Sequence, residues 1–171
     1  MKSLIAIVTA AAFLCCSTSG TAQNDARMRA WLSMTEQQRF EAPIEYKAAA
    51  CGYTISEFDL LSRTIEAESD RTNNFEGRVL ICLVILNRVN DNSGRFPNDI
   101  ENVINQPGQF SVVASGAIWS VGRTNLSDAA IFEARRRIAA GTAPNVLFFN
   151  NSCFRYGVAY CVEGGNYFVT N

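Results

Sequence analysis

The sequence predicts one mainly helical α+β domain with a small β element at its C-terminal end. Helical spacing of apolar residues runs from about residue 23 to residue 140. Beyond Gly141 the pattern changes to short aromatic and β-branched runs. Without an N-terminal export leader the chain keeps about 149 residues, enough to bury one core.

The leader comes first. Lys2 gives a weakly positive start, Leu4 to Cys16 is apolar, and Gly20-Thr21-Ala22 places small residues at the usual cleavage position. The expected mature chain starts after Ala22; lipid modification of Cys15 or Cys16 is a weaker alternative, because Phe13 and Leu14 precede them. Residues 23–50 read as a peripheral helical lead-in interrupted by Pro43. Residues 57–68 form an amphipathic helix, which Thr54 or Ser56 can cap, with Asp59 at the reciprocal position for Ser56. Phe75 to Val89 contains eight consecutive apolar residues. Its length and its polar Asn87-Arg88-Val89-Asn90 end favour a central helix over a buried strand. A Gly/Pro/Asn loop over 91–98 leads to a short helix at Ile100–Ile104 and a turn at Pro107-Gly108. Ser127 to Ala140 is helical and closed by Gly141. Val146–Phe149, Tyr156–Tyr160 and Tyr167–Val169 read as short strands, and Gly164-Gly165-Asn166 as a turn.

Composition excludes several chemistries. Histidine is absent, which removes histidine acid/base catalysis, Ser-His-Asp and Cys-His nucleophile systems, and most zinc peptidase sites. Removing Lys2 with the leader leaves 14 basic against 16 acidic side chains, with no basic tract for nucleic acid. Cys51, Cys82, Cys153 and Cys161 remain after processing. An even count in an exported chain suggests two disulfides. Cys153–Cys161 is the favoured pair and Cys51–Cys82 follows by elimination, with buried free thiols as the alternative. No metal site and no cofactor are expected.

The informative acid is Glu68. Leu61, Thr64, Ile65 and Glu68 share one helical face, whereas Glu66 points roughly the opposite way beside Ser62 and Asp59. A carboxyl group among apolar side chains favours its neutral form, and a neutral acid near pH 7 can protonate a leaving glycosidic oxygen. The alternative is a helix-end carboxylate paired to Arg63 or Arg88. Gln106 to Ser111 carries amides, a ring and a hydroxyl suited to sugars, or is a surface turn anchored by a buried Phe110. Tyr156 and Tyr160 can line a groove, while core packing accounts for most of the other C-terminal aromatics; Trp119 can do either.

Five segments occur in a recognisable order: Leu61-Ser62-Arg63-Thr64-Ile65-Glu66-Ala67-Glu68, Glu76-Gly77-Arg78-Val79, Val84-Ile85-Leu86-Asn87-Arg88-Val89, Arg95-Phe96-Pro97-Asn98 and Gln106-Pro107-Gly108-Gln109-Phe110-Ser111. Over residues 57–168 the chain resembles the catalytic domain of the SleB/CwlJ cell wall hydrolase family. The resemblance implies a lysozyme-like fold for residues 51–171 and peptidoglycan glycan strands as substrate. Its Ile-x-x-Glu-Ala context maps onto Ile65-Glu66-Ala67-Glu68-Ser69 and selects Glu68 as the catalytic acid. Gln109, Phe110, Ser111, Asn150 and Tyr156 are then the expected substrate-binding residues, Asn150 because Val146-Leu147-Phe148-Phe149-Asn150 resembles a late family strand near the cleft. The chain departs from the family at Asp70-Arg71-Thr72-Asn73-Asn74, which replaces an Arg-Gly-Glu stretch, and at Gly165-Asn166-Tyr167-Phe168, which lacks a late histidine.

The resulting expectation is a lytic transglycosylase acting between N-acetylmuramic acid and N-acetylglucosamine. Alternatives are a hydrolytic muramidase or glucosaminidase, or a non-catalytic wall-binding protein with the same fold. A secreted or periplasmic monomer with no membrane span after processing completes the reading.

Overall fold

The computed structural model describes residues 20–69 and 74–170; most of the leader and the Asp70–Asn73 departure lie outside them. Eight α-helices precede a three-stranded sheet in this region: α1 (Gly20–Ser33), α2 (Glu36–Glu41), α3 (Ile44–Cys51), α4 (Ile55–Glu68), α5 (Phe75–Val89), α6 (Ile100–Asn105), α7 (Ser111–Ala114) and α8 (Asn125–Ala139), with a 3-10 turn at Ala117–Trp119. The strands are β1 (Val146–Asn150), β2 (Val158–Glu163) and β3 (Asn166–Thr170). The expected cleavage position after Ala22 falls in the first turn of α1.

Short polar side chains set most helix starts. Thr54 caps α4 in a reciprocal box, accepting from the Glu57 N–H at 3.2 Å while Glu57 accepts from the Thr54 N–H at 2.8 Å. The Ser56/Asp59 alternative is not used, because Asp59 pairs with Arg63 one turn on at 2.7 Å. Asn74 caps α5 through the Gly77 N–H and Asp99 caps α6 through the Asn102 N–H. Thr124 caps α8, so that helix begins two residues before the predicted Ser127.

Helix α5 is the axis of the domain. Val79 through Leu86 are all buried, each contributing about 1.5–3 kcal/mol of transfer free energy where a large side chain is enclosed. Helix α8 packs along one side of it and β1 along another. The lead-in is not peripheral. Trp31 stacks on Phe132 of α8 with centroids 3.8 Å apart and planes 9° from parallel, and Lys47 forms a buried pair with Asp128 at 2.8 Å.

The sheet is open and antiparallel, ordered β1-β3-β2. Phe149 and Cys161 both lie opposite Phe168, while Asn150 and Val162 lie opposite Tyr167. Gly164 and Gly165 turn β2 into β3 with positive φ values of 54° and 74°. The second strand starts at Val158 rather than at the predicted Tyr156. Tyr156 takes a φ of 66°, and a Cβ on Gly157 would meet the Thr170 carbonyl oxygen at 1.9 Å, so this corner cannot continue the strand.

Candidate active site

The family-like segments turn out to hold the scaffold in register. Glu76 receives two bonds from Arg137 of α8, at 2.6 and 2.7 Å. Gly77 sits where a Cβ would press on Asn74 Oδ1 at 3.1 Å and on the Glu163 backbone at 3.5 Å. Arg78 reaches back to Glu66. Asn87 donates to the carbonyls of Pro144 and Val146, fixing the entry of β1 beside the end of α5.

The two glutamates near the end of α4 occupy opposite environments. Glu66 points away from the apolar stripe, as its spacing requires, but into a polar pocket rather than solvent. It accepts from Arg78 Nε and Nη2, from Thr124 Oγ1 and from Ser127 Oγ. Burial opposes its ionisation, but bonds from Arg78, Ser127 and Thr124 outweigh that and hold the carboxyl below its ordinary range. Asp128 is similar: burial raises it, while Arg123, Lys47 and Ser62 bring it down further. Both acids stay ionised at neutral pH.

Glu68 is half-buried at the last position of α4. Burial pushes its carboxyl up to about 6, against a smaller downward pull from the Val112 backbone N–H in α7. It forms no ion pair among the described residues. Arg63 is engaged by Asp59 and the Val121 carbonyl, and Arg88 donates to the Leu147 carbonyl. Neither arginine considered as its partner therefore neutralises it.

The structure divides the expected substrate-binding residues. Gln109 is half-buried just before Phe110, and Ser111 is exposed as the first residue of α7, the short helix that contacts α4. Phe110 itself is 2% exposed and packs toward Phe149. It is a core anchor and cannot present its face to a sugar. Asn150 is half-buried at the end of β1, its side-chain oxygen accepting from the Ser152 N–H and hydroxyl. Tyr156 is 76% exposed, but its ring packs against Phe148, which also stands beside Phe96. That contact groups it with the Phe-Pro-Asn loop. Trp119 is 69% exposed on the 3-10 turn, so core packing does not account for it.

Cys51, Cys82, Cys153 and Cys161 are all free thiols, so neither expected disulfide is formed in this structure. Cys51 and Cys82 are enclosed in the core, where burial pushes both thiols well up and disfavours the thiolate. Among the described residues no group of three or more Cys, Asp or Glu side chains is placed to hold a metal. No helix among them is long and apolar enough to cross a membrane. An apolar groove of about 580 Å³ lies between the lead-in and α8, lined by Trp31, Phe40, Phe75 and Phe132; Glu68 is not part of it.

The sequence offers Arg88 as part of a polar helix end and as a partner for the Glu68 carboxylate. It is 3% exposed, and its guanidinium carbon lies 5.0, 5.2 and 5.3 Å from the ring centroids of Phe96, Phe110 and Phe148. The Val112 N–H beside Glu68 is likewise a backbone contribution with no side-chain signature.

The Cell Wall Hydrolase family profile matches residues 72–160. The spore cortex-lytic enzyme of Oceanobacillus iheyensis is 38% identical over 68 residues, 40% of this chain and 24% of that protein. That of Bacillus subtilis is 40% identical over 68 residues, 40% of this chain and 21% of that protein. These matches thus extend over about a quarter or less of the length of the curated relatives. The crystal structure of the catalytic domain of the Bacillus cereus SleB protein superposes with a TM-score of 0.57 at 27% identity, covering 70% of this chain and 93% of that one. The profile match begins four residues after Glu68, so the selection of that acid rests on its position and surroundings. With the family profile matched over more than half of its length and this structural likeness beside it, the chain belongs to the SleB/CwlJ-type cell wall hydrolase family.

Proposed function

We propose that this protein cleaves peptidoglycan glycan strands as a lytic transglycosylase, with Glu68 as its single acid and base. The observation that carries the reading is the contrast along α4: Glu66 is held ionised by Arg78, Thr124 and Ser127, whereas Glu68 has no cation beside it among the described residues and titrates near 6. A carboxyl that is still partly protonated near neutral pH can act as an acid; one locked in an ion pair cannot.

Glu68 would donate its proton to the glycosidic oxygen as the bond from that oxygen to C1 of the muramic sugar breaks. The carboxylate left behind would take the proton from the same sugar's 6-hydroxyl as its oxygen bonds to C1, closing a 1,6-anhydro ring. The nucleophile is already attached to the reacting sugar, so its effective concentration is high and no second carboxylate is needed. Asp59, Glu66 and Asp128 are each committed to a cation, which supports a one-carboxyl scheme. Gln109, Ser111, Asn150 and the exposed Trp119 and Tyr156 are the residues proposed to bind substrate. The export leader that the sequence suggests at residues 1–22 and a wall substrate both favour a periplasmic or extracellular location.

Mass spectrometry of digested sacculi tests the reading. Anhydro-muramic ends, absent from a Glu68→Gln digest, are expected. Reducing ends alone would assign hydrolysis instead. Binding without solubilisation, unchanged in Glu68→Gln, would remove the catalytic role.

A further inference from the structure

A polar pocket of about 250 Å³ lies where the end of α5 meets the entry of β1. Asn87 and Asn90 line it from the helix end, Asp91, Asn92 and Arg95 from the following loop, and Asn145 and Leu147 from the β1 side. Its volume is that of about eight waters, space for one sugar ring. Glu68, Gln109, Ser111, Trp119, Asn150 and Tyr156 all lie outside its lining.

The amides of this pocket are held by their nitrogens. Asn87 Nδ2 donates to the carbonyls of Pro144 and Val146 at 3.0 and 2.8 Å, which uses both of its hydrogens. Those contacts fix which end of the amide is nitrogen. They leave Oδ1 as an acceptor that receives no bond from the described residues. Asn90 repeats the arrangement, its Nδ2 donating to the Leu86 carbonyl at 2.9 Å. Asn92 and Asn145 are exposed, and their side-chain amides make no hydrogen bond among the described residues. Each therefore offers a donor and an acceptor.

This lining selects a class of ligand. Its two charged side chains, Asp91 and Arg95, pair with each other at 3.3 Å, and Ser93 donates to both oxygens of Asp91. A charged ligand would meet a like charge beside any opposite one. An apolar ligand would touch Leu147 alone and strip water from four amides. A neutral molecule rich in hydroxyl and amide groups suits the site: its hydroxyls donate to the Asn87 and Asn90 oxygens and accept from Asn92 and Asn145.

We propose that this pocket is a second carbohydrate site, which takes one N-acetylhexosamine unit of a glycan strand other than those at the bond being cut. The inference rests on the proposed function for the identity of the polymer, but not on the role of Glu68. The test is an NMR titration of nitrogen-15-labelled full chain carrying Glu68→Gln with the β-1,4-linked tetramer of N-acetylglucosamine. The side-chain amide signals of Asn90, Asn92 and Asn145 are expected to shift saturably. Adding Asn92→Ala and Asn145→Ala removes groups that bond nothing in the fold, and should weaken that binding about tenfold or more.

Shifts confined to Gln109, Asn150 and the end of α4 would overturn the proposal, as would pocket binding unaltered by the two alanines. Pocket shifts produced by a wall stem peptide and not by the sugar tetramer would overturn it as well, in favour of a peptide site. If the alanine variant does not fold, the shifts in the Glu68→Gln protein decide alone. The titration needs no turnover, so the two readings can fail separately. Full activity in Glu68→Gln would overturn the proposed function alone.

Discussion

Arg78 of α5 grips Glu66 of α4 with two guanidinium nitrogens, each 3.2 Å from a different carboxylate oxygen. This pair joins the end of one core helix to the start of the next, across the segment that departs from the family pattern. It also removes Glu66 from the chemistry. Two acids that share a helical turn are thereby shifted in opposite directions by their surroundings.

Glu66→Gln should therefore destabilise the fold while leaving the chemistry of folded molecules nearly intact. The expected loss is about 2–4 kcal/mol in urea unfolding at pH 7, because the acid opposite a buried arginine disappears. Glu66 has a lowered carboxyl, so its stabilisation is present above the ordinary value of 4.5 and is lost as pH falls through the still lower folded value. The gap between native and variant should narrow in acid. A variant as stable as the native protein at pH 7 would contradict the structural role of this pair.

Glu68→Gln should behave in the opposite sense. Its carboxyl is raised from 4.5 to about 6, so the contribution to stability is intact below 4.5 and is lost as pH rises through 6. At pH 8 the glutamine variant should be more stable by about 1–2 kcal/mol, and at pH 4 equal, as measured by thermal melts at both pH values. The same substitution is expected to reduce turnover about 10²–10⁴-fold.

The pH profile of turnover should carry a basic limb near the Glu68 value of about 6, where the proton to be donated is lost. Activity on soluble strands should decline above that point while the protein remains folded. A flat profile from pH 5 to pH 9 would exclude Glu68 as the proton donor.

Asn87→Ala tests the join between helix and sheet. Its side-chain amide serves the carbonyls of Pro144 and Val146 at 3.0 and 2.8 Å. Removing it should cost about 2–3 kcal/mol in equilibrium unfolding. Asn87→Asp should cost more, since a carboxylate oxygen would then face two carbonyl oxygens.

Gly157→Ala addresses the corner before β2. The added methyl would lie 1.9 Å from the Thr170 carbonyl oxygen, so β2 and β3 must separate there. Near-ultraviolet circular dichroism should report disturbed aromatic packing around Phe148 and Tyr156, with a lower melting temperature. An unaltered spectrum and melt would show that the corner can relax.

Much of this fold was legible because the determining signals were local. The apolar run from Val79 to Leu86, Pro43, Gly141 and the glycine pair at 164–165 announce helix, break, stop and turn from their own chemistry. The stripe ending at Glu68 was readable for the same reason, since helical spacing needs no tertiary knowledge. Other features depend on distant partners. Glu66 was placed on the correct side of α4, but nothing adjacent to it in sequence indicates that Arg78, Thr124 and Ser127 converge there. Phe110 carried a sugar-binding expectation because an aromatic beside two amides suits a carbohydrate; only its enclosure by Arg88 and Phe149 shows that the ring is spent on packing. The lead-in looked peripheral because Pro43 interrupts its helical pattern, whereas Trp31 and Lys47 commit it to α8.

That last commitment bears on how the protein can be shortened. The Trp31 ring lies flat on Phe132, and Lys47 supplies one of the charges that neutralise Asp128. A truncated product starting at Gly52 would retain every residue of the family match, yet it would bare an aromatic surface on α8 and weaken a buried carboxylate's charge balance. Expression boundaries drawn from the signature alone are therefore expected to give a less stable fragment than one that keeps Trp31 and Lys47.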